Sequence, residues 1–168
     1  MEFCRGGSLI DLLKRNKFFS EHVISCIMGQ LFSALAYLHN QNIVHRDIKL
    51  DNIVIADNQK EKGSDKTYFI KLIDFGTAVK ITSRRIKITG TKHYIAPEAF
   101  KGKLNVKSDL WSSGVFMHLL LTSKFPFTAL TMEEMQKQVN TKVVSFAGSY
   151  CRMQARNGAS FRWKPNVW

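Results

Sequence analysis

A mainly α-helical fold with a few short β-strands is predicted by three features of this 168-residue sequence. Apolar residues recur at three-and-four spacing between Ser20 and Asn40, and a second run, Asp109 to Leu121, is apolar on most faces. The β-prone runs, by contrast, are short: Ile53-Val54-Ile55 and Tyr68-Phe69-Ile70-Lys71-Leu72-Ile73. With 45% hydrophobic residues the chain can bury a core of the size one domain, or one lobe of a larger enzyme, requires.

In the first helix the apolar face is Val23, Ile24, Ile27, Met28, Leu31, Leu35 and Leu38, with Ser20 as N-cap and Glu21 in the first turn. It delivers the chain to Ile43-Val44. The polar segment from Asp57 to Lys66 predicts a solvent-facing loop between the two strands. The run from Asp109 to Leu121 predicts a central helix buried on nearly all sides, ended by Lys124-Phe125-Pro126-Phe127. Thr131, with Glu134 three residues later, has the form of a capping box opening a further helix. Beyond Lys142 the periodicity fades.

Composition narrows the function classes. No apolar run approaches the 18 residues of a membrane span, and the N-terminus lacks a signal-peptide layout, so an intracellular, cytoplasmic protein with no membrane segment is expected. Three widely spaced cysteines, Cys4, Cys26 and Cys151, form neither a disulfide framework nor a zinc pattern. A formal charge of +12 raises nucleic-acid binding, but the basic clusters are not interleaved with aromatics and no nucleic-acid motif accompanies them, so none is expected.

The chemistry resides in three motifs in fixed order: His45-Arg46-Asp47-Ile48-Lys49-Leu50-Asp51-Asn52, then Asp74-Phe75-Gly76, then Ala96-Pro97-Glu98. Together they resemble the signature set of eukaryotic protein kinases. Lys49 and Thr91 resemble the serine/threonine type. The opening segment, the Tyr37-Leu38-His39 helix end and the Asp109-Leu110-Trp111-Ser112 start resemble the calcium/calmodulin-dependent and calcium-dependent group. No calcium-binding loop of the DxDxDG type is present.

The resemblance implies an ATP-dependent, Mg²⁺-requiring transfer of the γ-phosphoryl group to a hydroxyl of a protein substrate. It assigns Asp47 to orienting that hydroxyl and accepting its proton, Lys49 to the γ-phosphate, and Thr91 to contact with both. Asn52 and Asp74 become the metal ligands, and oxygen donors suit a hard cation. Glu2 and Cys4 would meet the adenine edge through their backbone, Ser8 would approach the ribose, Val54 would form the adenine floor, and Met1 would be the gatekeeper. In support, His45 and Phe75 would stack in an internal column beside Gly76, and Asp109 would accept hydrogen bonds from the catalytic-loop backbone. Glu98 would lack its usual arginine. Arg46 would meet a phosphate on Thr82, Ser83 or Thr89, near Arg84, Arg85 and Lys87. Asp51 would recognise basic substrates.

The first motif begins at residue 45, so the resemblance implies a kinase C-lobe, an α+β arrangement lacking the N-lobe. Residues 1–141 are expected to be a partial kinase domain, and 142–168 an off-pattern basic tail of truncated or frame-shifted origin. Without a Gly-rich loop and its strand lysine, the isolated fragment is expected to be inactive. The alternative is a kinase-derived binding module or decoy.

Overall fold

The computed structural model describes residues 4–16, 19–60, 66–81, 88–103 and 105–144. The elements, in order, are α1 (Leu9–Asn16), α2 (Glu21–Asn40), β1 (Ile43–Val44), β2 (Ile53–Lys60), β3 (Lys66–Leu72), β4 (Val79–Lys80), α3 (Lys107–Thr122) and α4 (Met132–Thr141). Short 3₁₀ turns at Leu50–Asn52, Phe75–Thr77 and Lys92–Tyr94 lie between them. The described chain is thus helix-rich with a few short strands.

The core forms where α2 meets α3 and the β2–β3 hairpin. Ser20 caps α2 by accepting a hydrogen bond from the Val23 N–H, and the seven predicted apolar residues are buried. Ile27, Leu31, Leu35, Phe116 and Leu120 are at most 1% exposed. Burial of side chains of this size contributes about 1.5–3 kcal/mol each. By length and composition α2 could cross a membrane, but its apolar stripe is packed into this core. Gln30, on α2, bonds β3 directly: its Nε2 donates to the Tyr68 carbonyl (2.9 Å) and its Oε1 accepts from the Ile70 N–H (3.0 Å).

Two expectations are corrected. The segment 57–66 is not a loop throughout: β2 runs to Lys60 and β3 starts at Lys66, paired antiparallel with an irregularity between Ile55 and Asp57. Ladder pairing is made by backbone N–H and C=O groups whatever the side chains, so polar content alone misplaced the strand ends. The central helix α3 begins two residues earlier than the Asp109 start, and one side reaches solvent: Leu110 is 39% exposed. Its interior includes Ser108, Asp109, Ser112, Ser113 and His118, polar groups that bond within the protein. In α4 the capping box is complete, with Thr131 and Glu134 bonded reciprocally.

The N-terminal segment is tied to the hairpin by its backbone. Gly6 N–H donates to the Ile55 carbonyl (3.0 Å), Ile55 N–H to the Gly7 carbonyl (2.8 Å), and Ser8 bridges Val54. A Cβ on Gly6 would lie 2.6 Å from the Ile55 carbonyl oxygen. Gly6→Ala therefore breaks this backbone pairing, and urea unfolding should show a loss of about 1–3 kcal/mol, the range for overpacking.

Candidate active site

The loop after β1 carries the first motif, and a carboxylate from α3 holds it in shape. Asp109, fully buried, accepts from His45 N–H through Oδ2 (2.9 Å) and from Arg46 N–H through Oδ1 (2.9 Å), while His39 Nε2 lies 2.9 Å from Oδ2. Arg46 sits at φ 71°, a conformation that costs a non-glycine residue of order 1–3 kcal/mol unless its surroundings fix it. Bonds that do so include the one to Asp109 and another from Arg46 Nε to the Thr77 carbonyl (2.5 Å). Thr77 Oγ1 in turn donates to the His45 carbonyl (2.9 Å). His45 is fully buried and meets the Phe75 ring edge-on at 5.0 Å. Burial pushes its pKa down, against the opposing charge of Asp109. Phe75 departs from the internal placement: it is 49% exposed.

Asp47, 7% exposed, is the hub. Lys49 Nζ donates to its Oδ2 (2.7 Å) and to Thr91 Oγ1 (3.2 Å). Thr91 donates to Asp47 Oδ1 from its backbone N–H (3.1 Å) and its hydroxyl (2.8 Å). Asn52 Nδ2 donates to Asp47 Oδ2 (3.1 Å) and to the Asp47 carbonyl (2.8 Å). Burial pushes the Asp47 carboxyl up, but the bonds from Lys49, Thr91 and Asn52 with the Lys49 charge outweigh it, and the pKa lies below the ordinary value. Lys49→Met should reverse that balance. The Asp47 pKa then rises, which a carboxyl-carbon NMR titration reads directly, and an unmoved value would show that Thr91 and Asn52 suffice.

Asn52 and Asp74 stand at the mouth of the β2–β3 ladder, where Ile73 N–H donates to the Asn52 carbonyl (2.9 Å). Asp74 is exposed at φ 63°, with Oδ1 accepting from Gly76 N–H (3.2 Å). Among the described residues nothing donates to Asn52 Oδ1 or Asp74 Oδ2. One amide and one carboxylate oxygen left without a protein donor fit Mg²⁺, which keeps several waters and binds through few protein groups plus substrate phosphates.

The remaining sequence-predicted residues are more scattered. Ser8 Oγ is engaged with Asp11 at the head of α1, and the Cys4 carbonyl accepts from Gly7 N–H. Val54 is half-buried on β2, and Asp51 is exposed. Glu98 Oε1 accepts from Ser108 Oγ (2.9 Å). Thr89 and Arg46 line one small pocket with Ile95, Ala96, Ala99, Ser108 and Ser112. Met1, Glu2, Thr82, Ser83, Arg84, Arg85, Lys87 and the tail from 145 lie outside the described residues.

Sequence reasoning gave no role to His39, Thr77 or Tyr94. Tyr94, buried and bonded to the Leu50 backbone, has its phenol pushed up to about 12 by burial. Only Thr77 carried a local signal, its place one residue beyond the second motif.

Comparison with known proteins adds to this geometry. A family model described as "Protein kinase domain" matches residues 1–162. "Calcium-dependent protein kinase 5" of Plasmodium berghei (strain Anka) is 40% identical over 152 residues, covering 89% of this chain and 26% of its own length. "Calcium-dependent protein kinase 6" of the same organism is 44% identical over 142 residues, 83% of this chain and 9% of its own. "Serine/threonine-protein kinase 33" of Bos taurus is 38% identical over 154 residues, 89% of this chain and 32% of its own. The chain thus spans a third or less of the length of these curated relatives.

Proposed function

The chain belongs to the protein kinase family, and from that premise we propose that it supplies the catalytic floor of an ATP-dependent serine/threonine protein kinase. In this reading it is the C-lobe with its hinge, most similar in kind to the calcium-dependent group. The observation that carries the reading is the convergence of Lys49, Thr91 and Asn52 on the single carboxylate of Asp47.

Phosphoryl transfer demands alignment and charge stabilisation more than covalent help from the protein. Asp47, ionised and fixed on three sides, would accept a hydrogen bond from the substrate serine or threonine hydroxyl and then its proton. Lys49 already spans Asp47 and Thr91, and its flexible ammonium would swing to the γ-phosphate when nucleotide enters. Loss of that partner raises the basicity of Asp47 at the moment it is needed. Asn52 and Asp74 would hold Mg²⁺, which when bound neutralises charge on the phosphate oxygens. Exposed Asp51 would attract a basic substrate side chain.

Asp74 faces water, where charge stabilisation is weak, so no appreciable steady-state turnover is expected of this chain alone. A single-turnover phosphotransfer assay with excess protein, Mg²⁺-ATP and a basic serine peptide tests the reading. Turnover abolished by Asp74→Ala supports a kinase. Nucleotide binding that depends on Mg²⁺ and Asp74, without turnover, supports the binding-module alternative, and absence of both would refute the proposed site.

A further inference from the structure

Asp74 stands at the head of one short turn, Phe75–Thr77, where its Oδ1 accepts from the Gly76 N–H at 3.2 Å. Among the described residues its side chain has no other hydrogen bond, so the backbone on either side must place it. On one side Ile73 is pinned to the loop of the first motif: its N–H donates to the Asn52 carbonyl (2.9 Å), and its carbonyl lies 3.1 Å from His45 Nε2. On the other side stands Thr77, with bonds in both directions. Its Oγ1 donates to the His45 carbonyl (2.9 Å), and its own carbonyl accepts from Arg46 Nε (2.5 Å). Building on the assignment of Asn52 and Asp74 to Mg²⁺, on which the inference rests, we propose that Thr77 is a positioning residue for the metal site: its hydroxyl clamps the far end of the turn and thereby holds Asp74 in place relative to Asn52.

Both loops need such a clamp. Asp74 at φ 63° and Arg46 at φ 71° lie in the left-handed region, which costs a non-glycine residue free energy unless its surroundings fix it. The two Thr77 bonds tie these segments to each other. The edge-on contact of Phe75 with His45 lies between them, but that ring is 49% exposed and gives the backbone no directional hold. Mg²⁺ demands near-ideal octahedral geometry, so a carboxylate free to swing is a poorer ligand for it. Groups that orient metal ligands cost about 10–100-fold in metal affinity when removed. Of the two bonds, the one from Oγ1 depends on the side chain, and substitution can address it alone: valine keeps the shape without the donor, and serine keeps the donor.

The test compares the full chain with its Thr77→Val and Thr77→Ser variants, the folding of each verified by far-UV circular dichroism. Without metal, amide exchange at Gly76 should be faster in Thr77→Val than in the parent, and at the parent rate in Thr77→Ser. With Mn²⁺ and ATP, read by water-proton relaxation, Thr77→Val should raise the Mn²⁺ Kd by about 10–100-fold and Thr77→Ser by little, with Asp74→Ala as the reference for a lost ligand. An unmoved Gly76 rate, an unmoved Mn²⁺ affinity in Thr77→Val, or equal losses in the valine and serine variants overturns the role of the hydroxyl while the metal site stands. If the parent binds no Mn²⁺-ATP, or Asp74→Ala binds it equally well, the metal assignment itself falls, and this inference falls with it.

Discussion

Replacing Asp109 by alanine should destabilise the protein by about 3–5 kcal/mol, the range for removing one partner of a buried charged network. The side chain is fully buried and serves three donors or partners: the N–H groups of His45 and Arg46 and the His39 ring. Once it is gone, two backbone donors lose their acceptor, buried at His45 and part-buried at Arg46, each at up to about 1–3 kcal/mol. Arg46 also loses one of the bonds that keep it at φ 71°. The damage should therefore be local as well as global. Urea unfolding gives the total, while amide exchange at His45 and Arg46 should accelerate beyond what the lowered global stability explains. Asp109→Asn should be milder, because one oxygen survives, yet its NH₂ must face a donor. A loss below about 1 kcal/mol for the alanine variant would mean that Thr77, not Asp109, fixes the loop.

How much of this was legible in the sequence depends on distance along the chain. Helix α2 was readable because seven apolar residues repeat over five turns and Ser20 marks the start. The start of α4 was readable because both halves of its cap lie within four residues. Helix α1 was not, although Leu9, Leu12 and Leu13 have helical spacing: eight residues give too little repetition to stand out. Strands β1 and β4 pair through only two residues each, Ile43 with Lys80 and Val44 with Val79, and two residues carry no period at all.

The site divides the same way. Asp47, Lys49 and Asn52 fall within six residues, so one turn can bring them together, and their proximity could be argued from spacing. Thr91 reaches Asp47 across 44 residues and Asp109 reaches His45 across 64; nothing in local pattern pairs them, and only the family resemblance pointed there. His39 and Thr77 show what even that left out. His39 acts through a hydrogen bond to the Asp109 carboxylate and Thr77 through bonds to the His45 carbonyl and from Arg46 Nε, and such bonds leave no trace in composition or periodicity.

Asp47→Asn should lower the phosphotransfer rate by about 10²–10⁴-fold, the span that a positioned general base supplies. The substitution keeps the shape of the hub, and the amide oxygen can still accept from Thr91 or Lys49, so the fold should survive at neutral pH. What vanishes is the negative charge and the ability to take a proton. The pH dependence separates those losses from simple damage. In the folded parent Asp47 titrates below its ordinary value of 3.8, so the unfolded chain binds the proton more readily than the folded one. Its stabilising contribution is full above the unfolded pKa and disappears as pH falls through the depressed folded pKa. Across that acid window the parent should lose stability that Asp47→Asn, with nothing to protonate there, does not lose. Above pH 5 the two proteins should run parallel in stability while differing in rate. If instead the rates match, proton acceptance at Asp47 contributes nothing, and the carboxylate serves only to tether Lys49 and Thr91.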